Sequence, residues 1–388
     1  MADQVDLPTR SFDGSRPGVT TRNRGGIEVV AVAGARPNFM KIAPLLRELA
    51  ARPGFEPFLV HTGQHYDAAM SESFFQDLGM AEPDLNLGVG SGSHAEITAQ
   101  VLRRMEPILL ERRPGVLLVV GDVNSTLAAA IAASKLDVPV AHVEAGLRSF
   151  DRQMPEEINR LLTDAISEWL FVTEPAGREN LLREGVPDER IHLVGNVMID
   201  SLLANVERAR KSDTLRNLGL ERQSYAALTL HRPSNVDDPE RLRMLFDLLE
   251  EIHEEIPIVF PAHPRTSAAI ENRLGGRLPR LRVTGPLGYI DFLGLLLDAK
   301  LVLTDSGGIQ EETTVLGVPC LTLRENTERP ITVSQGTNRI VGTDPVAIRR
   351  EVRKILDGNA KVGRVPDLWD GGAAQRIVDV LERDLGTA

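Results

Sequence analysis

From Ile27 onward, short runs rich in β-branched residues alternate with longer stretches whose apolar residues recur every three or four positions. Buried strands separated by amphipathic helices pair in parallel, because each crossover returns the chain to the same end of the sheet. The alternation predicts strands over 27–33, 57–61, 116–120, 138–143, 169–172 and 191–194, with helices over 40–51, 71–78, 95–112, 125–135, 156–167 and 176–184. A polar, Arg/Lys-rich segment at about 200–223 ends this first half, and the alternation then restarts. Its strands read at 225–230, 257–261, 282–284, 301–303, 319–323 and 339–341, its helices at 239–254, 266–274, 290–297, 308–316 and 345–356. The fold class expected is α/β: two doubly wound, Rossmann-like domains facing a central cleft, where the C-terminal ends of both sets of strands meet. The divisions are a disordered leader at 1–26, an N-terminal domain at 27–205, a C-terminal domain at 206–370, and a last helix at 371–388 packing back on the first domain.

Composition narrows the partners. A chain of 388 residues with 42% hydrophobic and 26% charged residues is globular and long enough for two ordinary domains. Its net charge of −11 argues against nucleic acid, so an anionic ligand has to be held by local arginines, histidines and backbone N–H groups. The lone cysteine, Cys320, sits in an apolar Val-Pro-Cys-Leu run and reads as a buried thiol in a reducing compartment. No apolar run reaches membrane-spanning length, and residues 1–26 carry arginines without an apolar core, unlike a secretory signal. A cytoplasmic location with no membrane partner is expected.

Polar groups cluster where strands end. Leu301-Val302-Leu303-Thr304-Asp305-Ser306-Gly307-Gly308-Ile309-Gln310-Glu311-Glu312 reads as a buried strand, a glycine turn and a helix start. Such a turn aims backbone N–H groups and a helix N-terminus at one spot, which suits phosphate as well as it suits an ordinary α/β turn. Ser306 adds a hydroxyl, Glu312 an acceptor for sugar hydroxyls, and Arg329 in Asn-Thr-Glu-Arg-Pro a cation one strand later. After the first strand, Gly34-Ala35-Arg36-Pro37-Asn38 lacks the dinucleotide spacing, but Arg36 and Lys41 can bear on an anion or face solvent. Asp122 follows a strand and either caps a helix or serves as a base. Glu144 ends another strand, and Glu156 opens a helix where acids also complement the macrodipole. His231 and His263 follow strands of the second half and suit a leaving phosphate or a plain loop contact. His61 and His65 are spaced i, i+4 but have Gly63 between them and no third ligand, so no metal is expected. A serine hydrolase is excluded by the absence of a nucleophile elbow.

Taken together, GARPNFMKIAPL, TGQHYDAAM, GDVNSTLAAA, HVEAGLRS, MPEEINR, GNVMID, LHRPSN, TDSGGIQEE and NTERP–GTNR resemble the non-hydrolysing UDP-N-acetylglucosamine 2-epimerases, over about residues 28 to 345. The resemblance implies two Rossmann-like domains in the glycosyltransferase-B arrangement, usually as a homodimer, with no cofactor. It implies interconversion of UDP-GlcNAc and UDP-ManNAc by elimination of UDP to a 2-acetamidoglucal and re-addition. By likeness Asp122, Glu144 and Glu156 hold the catalytic acidic positions, and His231 stands near the leaving diphosphate. Arg36, His263, Ser306, Gly307, Gly308, Glu312 and Arg329 match the nucleotide-binding set, with Glu312 on the ribose, and Lys41 and Arg148 join them as substrate-binding candidates.

Two departures qualify the likeness. Members with a second, regulatory UDP-GlcNAc carry glutamine where this chain has Asp67 and arginine where it has Ser91, although Gln64 matches. Losing that arginine predicts weak or absent regulation by substrate. The common His-Arg-Arg run is His231-Arg232-Pro233 here, which points to a subgroup including epimerases of UDP-2,3-diacetamido-glucuronic acid. A UDP-sugar glycosyltransferase of the same shape, a hydrolysing epimerase and a non-catalytic sugar-nucleotide sensor share parts of this pattern.

Overall fold

A computed structural model describes residues 26–63, 75, 77–262, 264–275 and 280–386, with side chains for all of these except 36, 233, 234, 264 and 265. The strands are β1 (Ile27–Ala33), β2 (Phe55–His61), β3 (Leu85–Asn86), β4 (Val116–Val120), β5 (Val140–Ala145), β6 (Trp169–Val172), β7 (Ile191–Leu193), β8 (Ala226–Thr229), β9 (Ile258–Pro261), β10 (Arg282–Thr284), β11 (Leu301–Thr304), β12 (Cys320–Thr322) and β13 (Asn338–Ile340). Among the described residues they form two sheets, in the orders β3-β2-β1-β4-β5-β6-β7 and β10-β9-β8-β11-β12-β13. Every pairing is parallel. Each chain half starts in mid-sheet, winds to one edge, then returns to the centre and winds to the other. The strand order therefore reverses between β1 and β4 in one sheet and between β8 and β11 in the other. Loops leaving neighbouring strands at such a reversal diverge to opposite faces and open a crevice at the strands' C-terminal ends.

Both faces of each sheet are covered, which is why its central strands read as unbroken apolar runs. Val29, Ala31 and Ala33 of β1 pack into one core, Val30 and Val32 into the other. All five residues of β4 are fully buried, each large apolar side chain contributing about 1.5–3 kcal/mol. In the second sheet Ala226 and Leu228 face one core, Tyr225 and Ala227 the other.

Two sequence expectations shift for clear reasons. β2 begins at Phe55, ahead of Pro57. The partner strand β3 reaches only Val60 and His61, so β2 is an edge strand at Pro57 and the missing N–H breaks no ladder. The segment at 200–223 is not simply polar. Its first part, residues 200–210, lies in helix Val197–Arg210, which is capped by Asn196 and buries Val197, Met198, Ile199, Leu202, Val206 and Ala209 behind its outward arginines. This helix packs on Arg36–Ala51, Tyr289–Leu297, Gly307–Leu316 and Ala373–Leu385, so it touches elements of both halves. Pro44 lies inside helix Arg36–Ala51, where it cannot donate to the Met40 carbonyl, and the Ser201 hydroxyl of the connecting helix donates there instead. The Asp200 carboxyl accepts from the Ala373 and Ala374 amides and so caps the final helix. That helix is tied further to the first by Arg52 with Asp379 and Glu382, both at 2.6 Å. Among the described residues no helix is long and apolar enough to cross a membrane.

Candidate functional site

The two crevices face each other across one cavity of about 400 Å³, a volume ordinary for a small-molecule site. Its walls are the segments after all four switch-point strands: Pro37, Met40 and Lys41 after β1, Asp122 after β4, His231 and Arg232 after β8, and Ser306 to Ile309 with Glu311 and Glu312 after β11. Arg160 and Arg329 close two sides, and Leu287, Tyr289 and Phe292 give it an apolar end. Topology thus brings together residues nearly three hundred positions apart.

On the first sheet's side, Asn38 ties two loops. Its Oδ1 accepts from the Gly34 and Ala35 amides and its Nδ2 donates to the Val120 carbonyl at 3.1 Å. Gly121 has φ +68°, and a Cβ there would lie 3.0 Å from Lys41 Nζ and 3.4 Å from Glu144 Oε2. Only glycine lets those two groups approach, and the Lys41 ammonium and the Glu144 carboxylate form a buried ion pair. Glu144 itself has φ +71°, a strained conformation for a long side chain, where β5 slips register between Val143 and Ala145. Such strain is kept where surrounding structure fixes it. The fixing group is His142, whose Nδ1 meets Asp164 at 2.6 Å and whose Nε2 meets the Gly121 carbonyl at 2.9 Å, while Asp164 also accepts from the Gly146 amide. Asp122 is 30% exposed toward the cavity and paired with Arg160 Nη1 at 2.6 Å. Arg160 in turn is held by Glu157, which accepts from the Ser149 and Phe150 amides.

On the second sheet's side, Asp305 is wholly buried and accepts from the His231, Arg232 and Asn235 N–H groups. Burial pushes its carboxyl up, but His231 at 2.9 Å and those amides outweigh it and hold Asp305 below the usual range. This fixes His231 through Nδ1 and leaves the half-exposed ring free to present Nε2. Ser306 precedes helix Gly307–Leu316, whose N-terminal turn borders the cavity. At Gly307 a Cβ would meet Arg329 Nη1 at 2.5 Å, so the guanidinium approaches the glycine turn by its Nη1 end. Arg329 Nε is 2.7 Å from Glu311 Oε1. Glu312 reaches the cavity from inside the helix; burial, then Glu311, pushes its carboxyl up to about 8.

Of the residues singled out from sequence, the cavity gathers Lys41, Asp122, His231, Ser306, Gly307, Gly308, Glu312 and Arg329, with Glu144 directly behind Lys41. Glu156 lines a second cavity of about 410 Å³, and Arg232 lines both. Arg148 is not brought to either. It is buried against Asp164 at 2.7 Å and Glu184 at 2.6 Å, and it braces the loop after β5 rather than facing a ligand. Backbone at Arg36 opens its helix, while its side chain and residues Gln64, His65, Asp67 and His263 lie outside the described residues. His61 is buried edge-on to Phe39, and burial lowers it to about 4, so its imidazole is neutral. Sequence reasoning missed Arg160, Arg232, Tyr289, Phe292 and Glu311. Arg160 carried a signal, since its i, i+3 spacing from Glu157 on a helix start makes a fixed ion pair. The aromatic pair carried none beyond a helical core face.

A profile of the UDP-N-acetylglucosamine 2-epimerase family matches residues 47–382. The chain is 43% identical over 359 residues to UDP-N-acetylglucosamine 2-epimerase of Methanococcus maripaludis, covering 90% of this chain and 97% of that protein. It is 42% identical over 362 residues to UDP-2,3-diacetamido-2,3-dideoxy-D-glucuronate 2-epimerase of Pseudomonas aeruginosa, covering 92% of this chain and 100% of that protein. Among solved structures, Methanocaldococcus jannaschii UDP-GlcNAc 2-epimerase in complex with UDP-GlcNAc and UDP superposes with a TM-score of 0.84 at 40% identity, over 92% of this chain and 100% of that one. With two Rossmann-like lobes about one cleft and likeness along nearly its whole length, the chain belongs to the UDP-N-acetylglucosamine 2-epimerase family.

Proposed function

We propose that the protein epimerises C2 of a UDP-sugar, interconverting UDP-GlcNAc and UDP-ManNAc by elimination of UDP and re-addition. The observation that carries this is one cavity in which Asp122 and Lys41, the latter backed by Glu144, face the Gly307 turn and Arg329. A C2 hydrogen is not acidic, so its removal needs a carboxylate at hand and a leaving group whose charge is already met. Arg329, the helix N-terminus and His231 supply that charge match for the diphosphate. Tyr289, Phe292 and Leu287 give the uracil a flat apolar wall, and Glu312 accepts from the ribose. Asp122 at the cavity and Glu144 behind Lys41 are the carboxylates offered to take and return the proton, with Glu156 standing in the adjoining cavity that shares Arg232. Incubation with UDP-GlcNAc in deuterated water is expected to give two UDP-sugars, both deuterated at C2. Free ManNAc, or no exchange without an acceptor, would favour hydrolysis or glycosyl transfer instead.

A second reading keeps the reaction and changes the sugar. The cavity at Glu156 also carries Arg232, Arg241 and Arg324, which suits a carboxylated hexose such as the 2,3-diacetamido-glucuronate acted on by the Pseudomonas relative. Running the exchange with both UDP-sugars separates the two by kcat/KM.

A further inference from the structure

Two cavities meet at one arginine. Of the described residues, Arg232 alone lines both the cavity of about 400 Å³ and its neighbour of about 410 Å³. The walls beside it are continuous. Helix Pro155–Ala165 begins in the second cavity with Pro155 and Glu156 and, one turn on, presents Arg160 to the first. Asn159 of the same helix donates to the Asp122 carbonyl at 2.8 Å and to Asn124 Oδ1 at 3.2 Å, and Asn124 meets His94 of the second cavity at 3.0 Å. A nucleotide with its base on Tyr289 and Phe292 and its diphosphate at the Gly307 turn therefore directs its hexose toward Asp122, where the second cavity begins. The other lysine and arginines of the first cavity are committed: Lys41 to Glu144, Arg160 to Asp122 and Glu157, Arg329 to Glu311. In the second cavity Arg324 makes two bonds to Glu328, at 3.0 and 2.6 Å. Arg232 differs. The acids of the second cavity, Asp151, Glu156 and Glu325, form no ion pair with it, and its Nε, shut off from water, has no hydrogen-bond partner among the described residues. Its backbone is fixed nonetheless, the amide donating to the buried Asp305 carboxylate at 2.9 Å. A dry, unpaired guanidinium N–H costs free energy until an anion meets it.

We infer that Arg232 is the residue that selects the sugar: its guanidinium receives a carboxylate carried at C6 of the hexose, so that a UDP-hexuronate is preferred over a UDP-hexose with a neutral hydroxymethyl group there. The inference deepens the UDP-sugar reading of the first cavity and rests on it. An anion at Arg232 has two sources in such a ligand, the diphosphate and the sugar. The diphosphate is already matched by Arg329, the helix N-terminus and His231, whereas the sugar is the part that reaches the threshold of the second cavity. A planar guanidinium accepts a carboxylate through two parallel N–H bonds, a fit that a hydroxymethyl group cannot reproduce. Bulk charge works the other way. At a net charge of −11 the chain as a whole disfavours the more anionic ligand, so a preference for the uronate has to come from a local, uncommitted cation. UDP-GlcNAc is bound as well, but more weakly.

Calorimetric titration of the full chain with UDP, with UDP-GlcNAc and with the C6 uronate of UDP-GlcNAc reads the selection directly. Wild type is expected to bind the uronate about 10–100-fold more tightly than UDP-GlcNAc, the value of a charge-assisted pair, and this comparison needs no variant. Arg232→Met keeps an apolar stem and removes every N–H. In it the preference should shrink below about threefold, while affinity for UDP itself changes by less than about threefold. A wild type that does not prefer the uronate, or an Arg232→Met chain that still does, overturns the inference and leaves the UDP-sugar reading standing. A variant that loses UDP as strongly as the uronate assigns the guanidinium to the diphosphate and overturns the inference too. A wild-type chain that fails to bind UDP at all overturns both.

Discussion

At Gly307 one methyl group decides where Arg329 can lie. The backbone there is not left-handed, so the constraint is space: the added carbon would sit 2.5 Å from Nη1 and 3.0 Å from Cζ. The guanidinium is the movable party, and Gly307→Ala should push it out of the cavity and also lower the melting temperature, because the buried Glu311 carboxylate loses its partner. UDP affinity by calorimetry is expected to drop about 10–100-fold, the value of a charge-assisted hydrogen bond. Unchanged affinity would take Arg329 away from the diphosphate. At Glu144 the expectation is different. Glu144→Gln removes the carboxylate and its pairing with Lys41, so C2 exchange should fall at least about a thousandfold while UDP still binds. Exchange at a near-normal rate would relieve Glu144 of a catalytic role. Glu144 was visible in the sequence as an acid at a strand end, and Gly307 as half of a glycine turn after a strand. What was not visible is φ +71° at Glu144, because left-handed backbone in a non-glycine residue is imposed by neighbours such as His142 and Asp164.

Among the elements, the central strands were legible because they are buried on both faces and spell continuous β-branched runs. β3 was not, since two residues, Leu85 and Asn86, leave no period to detect. Helix Val197–Arg210 was misjudged for a related reason: its arginines are conspicuous in sequence, while the apolar face that matters is shared among five helices. Its Ser201 hydroxyl fills the carbonyl that Pro44 leaves vacant. Ser201→Ala is therefore expected to cost about 1–3 kcal/mol in chemical denaturation, the range for a buried carbonyl losing its donor. A loss below about half a kcal/mol would mean that the Met40 carbonyl finds another partner.

For the molecule as a whole, the cleft was legible only in outline. Alternation implies parallel sheets, but the return to mid-sheet that creates β1/β4 and β8/β11 neighbours leaves no local trace, and it alone brings Asp122 to Arg329. The closure has a measurable pH signature. Glu174 and Glu312 stand near 8 in the folded chain against 4.5 ordinarily, so folding favours their protonated forms. That contribution is complete below about pH 4.5 and is lost as pH rises through 8. The melting temperature should decline between about pH 5 and 8, and Glu174→Gln should flatten the decline, its advantage over wild type widening with pH. Parallel curves for the two proteins would place Glu174 in contact with water. The connecting helix leads to a last consequence. Met198 Cε lies 3.3 Å from where a Cβ on Gly308 would stand, and the same helix braces Met40 through Ser201. One helix therefore meets the glycine turn through Met198 and the first lobe through Ser201, so a change that shifts its axis is felt at the cavity wall and in the packing between the lobes alike.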